Sequence, residues 1–145
     1  MPATDVLESE LLNLIFLNDN FDQIGDATGI QGSTTPGNLE ISLHTGTLDD
    51  TSTQTTSEAA YGSYARVDVG RSGSNWTEAS GTVDNDNAIT FPSASSGSET
   101  ETDFGIGSDV VANELWLYGA LSSSLAVSSG ITPEFAAGDL DISVT

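Results

Sequence analysis

Residues 114–145 constrain the fold more than any other part of this chain. They read ELWLYGALSSSLAVSSGITPEFAAGDLDISVT. Leu140, Ile142 and Val144 alternate with Asp139, Asp141, Ser143 and Thr145, the period of a strand with one buried face and one wet face. Just before them, Ile131, Pro133, Phe135 and Ala137 alternate with Thr132, Glu134 and Ala136. Gly138-Asp139 between the two runs is a tight-turn signal. Leu115, Trp116 and Leu117 are consecutive and apolar, which predicts a central strand covered on both faces. Clusters of Ser and Gly at 122–124 and 128–130 punctuate the series. The stretch as a whole predicts a β-meander that forms much of a sandwich.

The rest of the chain supplies shorter strands and one helix. A helix is expected over about residues 5–18, with Asp5 and Glu8 making a capping-box-like start. Leu7, Leu11, Leu14 and Ile15 fall on one face, and Leu12, Phe16 and Leu17 widen the apolar surface beyond one stripe. A helix this apolar is either wedged deep in its own domain or shared with a neighbouring subunit, and in the second case Leu12 and Phe16 are expected at the interface. Residues 21–38 and 45–60 read as polar loops. Leu39, Ile41 and Leu43 alternate with Glu40, Ser42 and His44; Ala65, Val67 and Val69 alternate with Tyr64, Arg66 and Asp68. Residues 72–86 read as a loop anchored by Trp76, followed by a short strand at 87–91. Over 99–106, Glu99, Glu101 and Asp103 oppose Thr100, Thr102, Phe104 and Ile106. About eight short strands with turn signals between them predict an all-β fold. The expected fold is an antiparallel β-sandwich or jelly-roll-like domain with one N-terminal α-helix. It is expected to occupy residues 1–145 as a single domain.

Charge excludes several roles. The chain carries 22 Asp and Glu against 2 Lys and Arg, a formal net charge of −20, with Arg66 and Arg71 the two basic residues. Such self-repulsion destabilises a compact state in dilute buffer and is screened by concentrated salt. The acids are scattered along the chain, so the composition reads as a surface adapted to high salt. Nucleic acid and anionic membrane are excluded as partners, because no basic patch exists to meet phosphates. No apolar run is long enough for a spanning helix, and Met1-Pro2-Ala3-Thr4-Asp5 lacks the charged start of a secretory signal. Synthesis and retention in the cytoplasm until assembly into something or release by lysis are expected.

Catalytic and metal-binding patterns are weak. His44, the single histidine, is placed by alternation on the polar face of its strand, at the surface or an interface. No G-x-S-x-G nucleophile motif accompanies it, so no enzyme is expected. Asp84 and Asp86 resemble the start of a calcium loop but lack its glycine and distal glutamate. Glu99, Glu101 and Asp103 share one strand face and could meet a hard cation, although a solvated acidic face is the plainer reading. No cofactor is expected. Arg66 is expected to pair with a carboxylate, within the domain or across a subunit boundary. Arg71 and Trp76 are further interface candidates.

The helix LESELLNLIF (7–16) is followed by LEISLHTG (39–46), GSYARVDV (62–69) and AITFPSAS (88–95). TDFGIG (102–107), LWLYGALSSSLAVSSG (115–130) and FAAGDLDISV (135–144) complete the order. This order resembles small virion structural proteins of tailed phages, often described as tail-fibre-like. The most specific pieces are Tyr64-Ala65-Arg66, Phe104-Gly105-Ile106, YGAL (118–121) and FAAGDL (135–140). None is a catalytic motif. Relatives of this kind carry more Lys and Arg, so the resemblance implies a halophilic version, from a tailed virus of haloarchaea. It implies a virion protein, read here as a capsid decoration (cement) protein forming a homotrimer on the head and contacting the major capsid protein. The alternatives are a tail, baseplate or fibre component contacting tail proteins, and a carbohydrate-binding adhesin module that stacks sugars on Trp76 and Tyr61.

Overall fold

A computed structural model describes residues 2–22 and 24–144. Thr145, the last residue of the C-terminal alternation, lies outside them. Among the described residues the elements are helix α1 (Asp5–Leu12), a π-helical turn (Asn13–Leu17) and nine strands. The strands are β1 (Asn38–His44), β2 (Val67–Gly70), β3 (Trp76–Ala79), β4 (Thr82–Asn85), β5 (Ile89–Thr90), β6 (Ser98–Ser108), β7 (Leu115–Ser128), β8 (Glu134–Phe135) and β9 (Asp141–Ser143). The protein is an all-β, sandwich-type protein with antiparallel sheets and one N-terminal helix, as the sequence predicts. The sheets run β2-β1-β6-β7, β3-β4-β9 and β5-β8. The chain clusters into two compact units. The first holds the described residues of Met1–Gly37, Gly70–Ile89 and Phe135–Thr145; the second holds Asn38–Val69 and Thr90–Glu134.

The first unit packs α1 and the π turn on the β3-β4-β9 sheet. Its interior is Leu12, Phe16, Trp76, Val83, Leu140 and Ile142. The helix buries the side opposite to the one expected. Leu12 and Phe16 are fully buried, whereas Leu7 is 47% exposed. The apolar residues cover too much of the circumference to choose a face by themselves, and the wider π turn rotates the residues after Leu12 relative to an unbroken α-helix. The capping box is also absent: Thr4 is the N-cap and makes no side-chain cap bond. At the other end Asn18 takes the left-handed conformation, φ 62°, and its amide brackets the Ser33 backbone with bonds of 2.8 Å in each direction.

Residues 72–86 contain a hairpin rather than a loop. Ala79 pairs with Thr82 across Ser80-Gly81, whose φ values of 56° and 82° are both positive. A two-residue turn of this kind matches the right-handed twist of its strands. Sequence reading also expected residues 131–144 to form a hairpin at Gly138-Asp139. The turn is there, with Gly138 at φ 78°, but β8 pairs with β5 and β9 pairs with β4. Asn85 holds this arrangement: its Oδ1 accepts from Leu140 N at 2.9 Å, and its carbonyl accepts from Gly138 N at 2.7 Å. Within β9 the predicted alternation holds, with Leu140 and Ile142 buried beside exposed Asp141 and Ser143.

The second unit is built on β2-β1-β6-β7. The register places Leu43 opposite Phe104 and Ile41 opposite Ile106 on one face, and His44 opposite Asp103 and Ser42 opposite Gly105 on the other. The first face is apolar, with Leu39, Ile41, Leu43 and Ile106 all buried. The second is polar and yet buried at its centre, because residues 45–60 fold back over it. Ala59 N donates to the Leu43 carbonyl at 2.9 Å and Thr45 N to that of Ser57 at 2.8 Å, while Leu48 and Gln54 are buried.

Two of the four most specific motifs of the sequence form one ladder. Phe104 lies opposite Gly119, Gly105 opposite Tyr118, and Ile106 opposite Leu117. A Cβ at Gly119 would meet the Phe104 ring at 2.9 Å, so the ring lies over the glycine of the neighbouring strand. β7 is not the central strand expected from Leu115-Trp116-Leu117. It lies at the edge of its sheet, with Trp116 45% and Tyr118 46% exposed.

Candidate functional site

The polar face of the second unit gathers most of the chain's candidate chemistry. β1 carries Ser42 and His44 there because strand residues two apart share a face. Both side chains are fully buried, which corrects the expectation of a surface histidine. From Ile41 onward every residue of β1 is buried, as in a strand covered on both sides. His44 Nδ1–H donates to the Thr56 carbonyl at 2.8 Å, so its Nε2 accepts the Ser42 hydroxyl proton, also at 2.8 Å. Burial pushes the imidazole pKa down, which favours this neutral form. A serine bonded to a histidine is the start of a nucleophile pair. Here the third position is a backbone carbonyl rather than a carboxylate, and Ser42 has no surface to offer a substrate.

The acids of β6 point inward rather than to solvent. Glu101 is fully buried and Asp103 nearly so. Glu99 Oε1 accepts from Ala60 N and Tyr61 N at 2.9 and 2.8 Å, and Asp103 Oδ1 accepts from Leu48 N at 3.5 Å. Neither Glu101 oxygen has a hydrogen-bond partner. Burial, and after it the neighbouring Glu99 carboxylate, push the Glu101 pKa up to about 7. The nearby Tyr61 hydroxyl, also buried and without a partner, is pushed up to about 12 by burial and by Glu101. Among the described residues, no three or more His, Asp or Glu come together in a group that could hold a metal ion. Asp84 and Asp86 lie in the other unit, where Asp86 Oδ1 accepts from Thr77 Oγ1 at 2.7 Å.

Both arginines are engaged within the chain. Arg66 makes five hydrogen bonds through Nε, Nη1 and Nη2, the full complement of guanidinium N–H groups. Nε and Nη2 fork onto Glu58 at 2.6 and 2.9 Å, and Nη1 reaches Glu40 at 3.0 Å and Gln54 at 2.9 Å. The bond to Glu58 raises the guanidinium pKa above its usual range. The pairing expected for Arg66 is thus made inside its own unit, with no donor left for a neighbour. Arg71 donates to the carbonyls of Ile15, Leu14 and Pro36 at 2.6, 2.5 and 2.8 Å. A cation there suits the carbonyl end of a helix. Trp76 is fully buried, edge-on to Phe16 at 4.9 Å, with its Nε1–H on the Gly70 carbonyl. Tyr61 is 2% exposed, so neither aromatic named for sugar stacking is accessible.

The interface candidates Leu12, Phe16 and Trp76 are therefore core residues of the first unit. Exposed aromatics stand elsewhere, at Trp116 and Tyr118 of β7, with Val110 and Val111 exposed in the turn that precedes it. Sequence reading missed it because three consecutive apolar residues read as a buried strand. The signal that could have found it is charge: no Asp, Glu, Lys or Arg stands between Glu114 and Glu134, the longest such interval in the chain.

Residues 2–143 match the family described as Podophage GP4 fiber I protein gp80. No curated protein matches the chain.

Proposed function

We propose a tail-fibre role for this chain, which belongs to the podophage GP4 fiber I protein gp80 family. The family gives it a virion structural role. The match over residues 2–143 carries the finer reading, because its description names a fibre rather than a protein of the head. Capsid decoration has no observation of its own in its favour. The geometry agrees with a structural part: the serine–histidine pair is sealed from substrate, and both arginines stabilise the chain's own units. Partners under this reading are other copies of the chain and other tail proteins. Immunogold labelling of purified particles tests it: gold at the tail is expected, and gold distributed over the head would overturn it.

The acidic composition belongs to the same reading. A net charge of −20 with no lysine supports a surface suited to concentrated salt. The melting temperature should rise between about 0.1 M and 1 M salt, as the Debye length shortens from roughly 10 to 3 Å. A melt independent of salt would remove the halophilic part.

A further inference from the structure

β7 is an edge strand without a visible reason to stay single. It runs for 14 residues, and among the described residues only β6 pairs with it. Long open edges invite a second strand, and proteins blunt them with charge or proline among other devices. β7 has neither charge nor proline. Val127 is its one buried residue. Trp116 and Tyr118 stand 45% and 46% exposed, and Val110, 83% exposed, lies in the turn at the same end of the strand.

We propose that β7 is a self-association edge, on which the β7 strand of a second copy pairs antiparallel. Two observations select a copy of this chain as the occupant. Two molecules of net charge −20 repel wherever their acids face, and β7 lies within the longest uncharged interval of the sequence. Length excludes head-to-tail pairing: the opposite edge of the sheet, β2, has 4 residues and carries Asp68, so it would leave most of β7 open. Only β7 against β7 pairs the strand along its length, in a contact where each copy offers the same residues. The backbone groups of the edge then find partners, and Trp116 and Tyr118 lose exposure. The inference stands on the exposure and charge of β7 and is separate from where the protein sits in a particle.

Sedimentation equilibrium in about 1 M salt, where screening leaves a Debye length of roughly 3 Å, tests it. The wild type is expected at twice its chain mass of 14.9 kDa. The double variant Trp116→Glu, Tyr118→Glu is expected at the single-chain mass with the circular-dichroism spectrum of the folded chain and a melt lowered by the loss of association. Any other wild-type mass, or a folded double variant that keeps the wild-type mass, overturns the proposal. The chain has no cysteine, so a second measurement does not depend on that variant folding. Ser122→Cys, Ser123→Cys and Ser124→Cys, near the middle of β7, should include one that forms inter-chain disulfides at least tenfold faster than Ser57→Cys. Equal rates at all four positions would also overturn it.

Discussion

Strands β6 and β7 are hydrogen-bonded neighbours, and each departs from the usual relation of polarity to burial in the opposite sense. β6 carries Glu99, Glu101 and Asp103, yet Glu101 and Asp103 are buried. β7 carries Leu115, Trp116, Leu117, Tyr118 and Leu121, yet none of these five is buried. Position in the sheet decides over side-chain type. β6 lies between β1 and β7, and residues 45–60 cover its polar face; among the described residues β7 has one neighbouring strand, and Val127 is its one buried residue. Acids inside a fold are tolerable when backbone N–H groups bond them, as at half-buried Glu99, or when a proton neutralises them, as burial favours at Glu101. Exposed aromatics and an open edge mark a surface that meets something else.

The largest effect should separate the cores of the two strands. Ile106→Ala on β6 removes a side chain that is 1% exposed and should cost about 2–5 kcal/mol in chemical denaturation. A loss below that range would mean that the β6 interior is less filled than described.

Next comes the buried acid. Glu101 has its pKa raised from 4.5 to about 7 in the folded chain. Between those values the folded chain holds a proton that the unfolded chain releases, so this group's stabilising contribution is complete below pH 4.5 and lost as pH rises through 7. Glu101→Gln should remove that slope and be the more stable protein above pH 7, by on the order of 3 kcal/mol. Unfolding curves at pH 5 and pH 8 check this. If both proteins change alike between the two, Glu101 is not the titrating group.

A smaller loss is expected from Gly107→Ala. Its Cβ would lie 2.1 Å from the Glu114 carbonyl oxygen and 2.4 Å from Gln54 Nε2, so the start of β7 or the covering loop must move. About 1–3 kcal/mol is expected from thermal melts. The smallest effect belongs to Trp116→Ser, which should change the stability of the single chain by no more than about 0.5 kcal/mol. A larger loss would show that β7 contributes to the core after all.

Much of the fold is legible from sequence, and the failures share a cause. The strand at β1, the alternation in β9 and the end of the helix at Asn18 follow from local rules, and they hold. Alternation separates two faces of a strand but does not say which is covered. In β6 the acidic face reads as wet. The contrary signal was Gly105 and Gly107 on that same face, where a Cβ would strike His44 and Gln54. Glycines two apart on a strand mark a close approach from another segment. The helix failed for the same reason: Leu12 and Phe16, four apart, are as good a stripe as Leu7, Leu11 and Ile15, and only packing against Trp76 chooses between them. The β3–β4 hairpin needed Ser80-Gly81 to be read as a two-residue turn. The Arg66 network draws on Glu40, Gln54, Glu58 and Asn113, partners that no short motif brings together.

Hydrogen–deuterium exchange on β6 and β7, in the free double variant Trp116→Glu, Tyr118→Glu and in the associated wild type, tests the contrast most directly. Amides of β6 should be protected in both, since both of its neighbours are present in one chain. Amides of β7 that do not bond to β6 should exchange rapidly in the free variant and become protected at least tenfold in the associated wild type. Equal protection of β7 in the two samples would contradict the account.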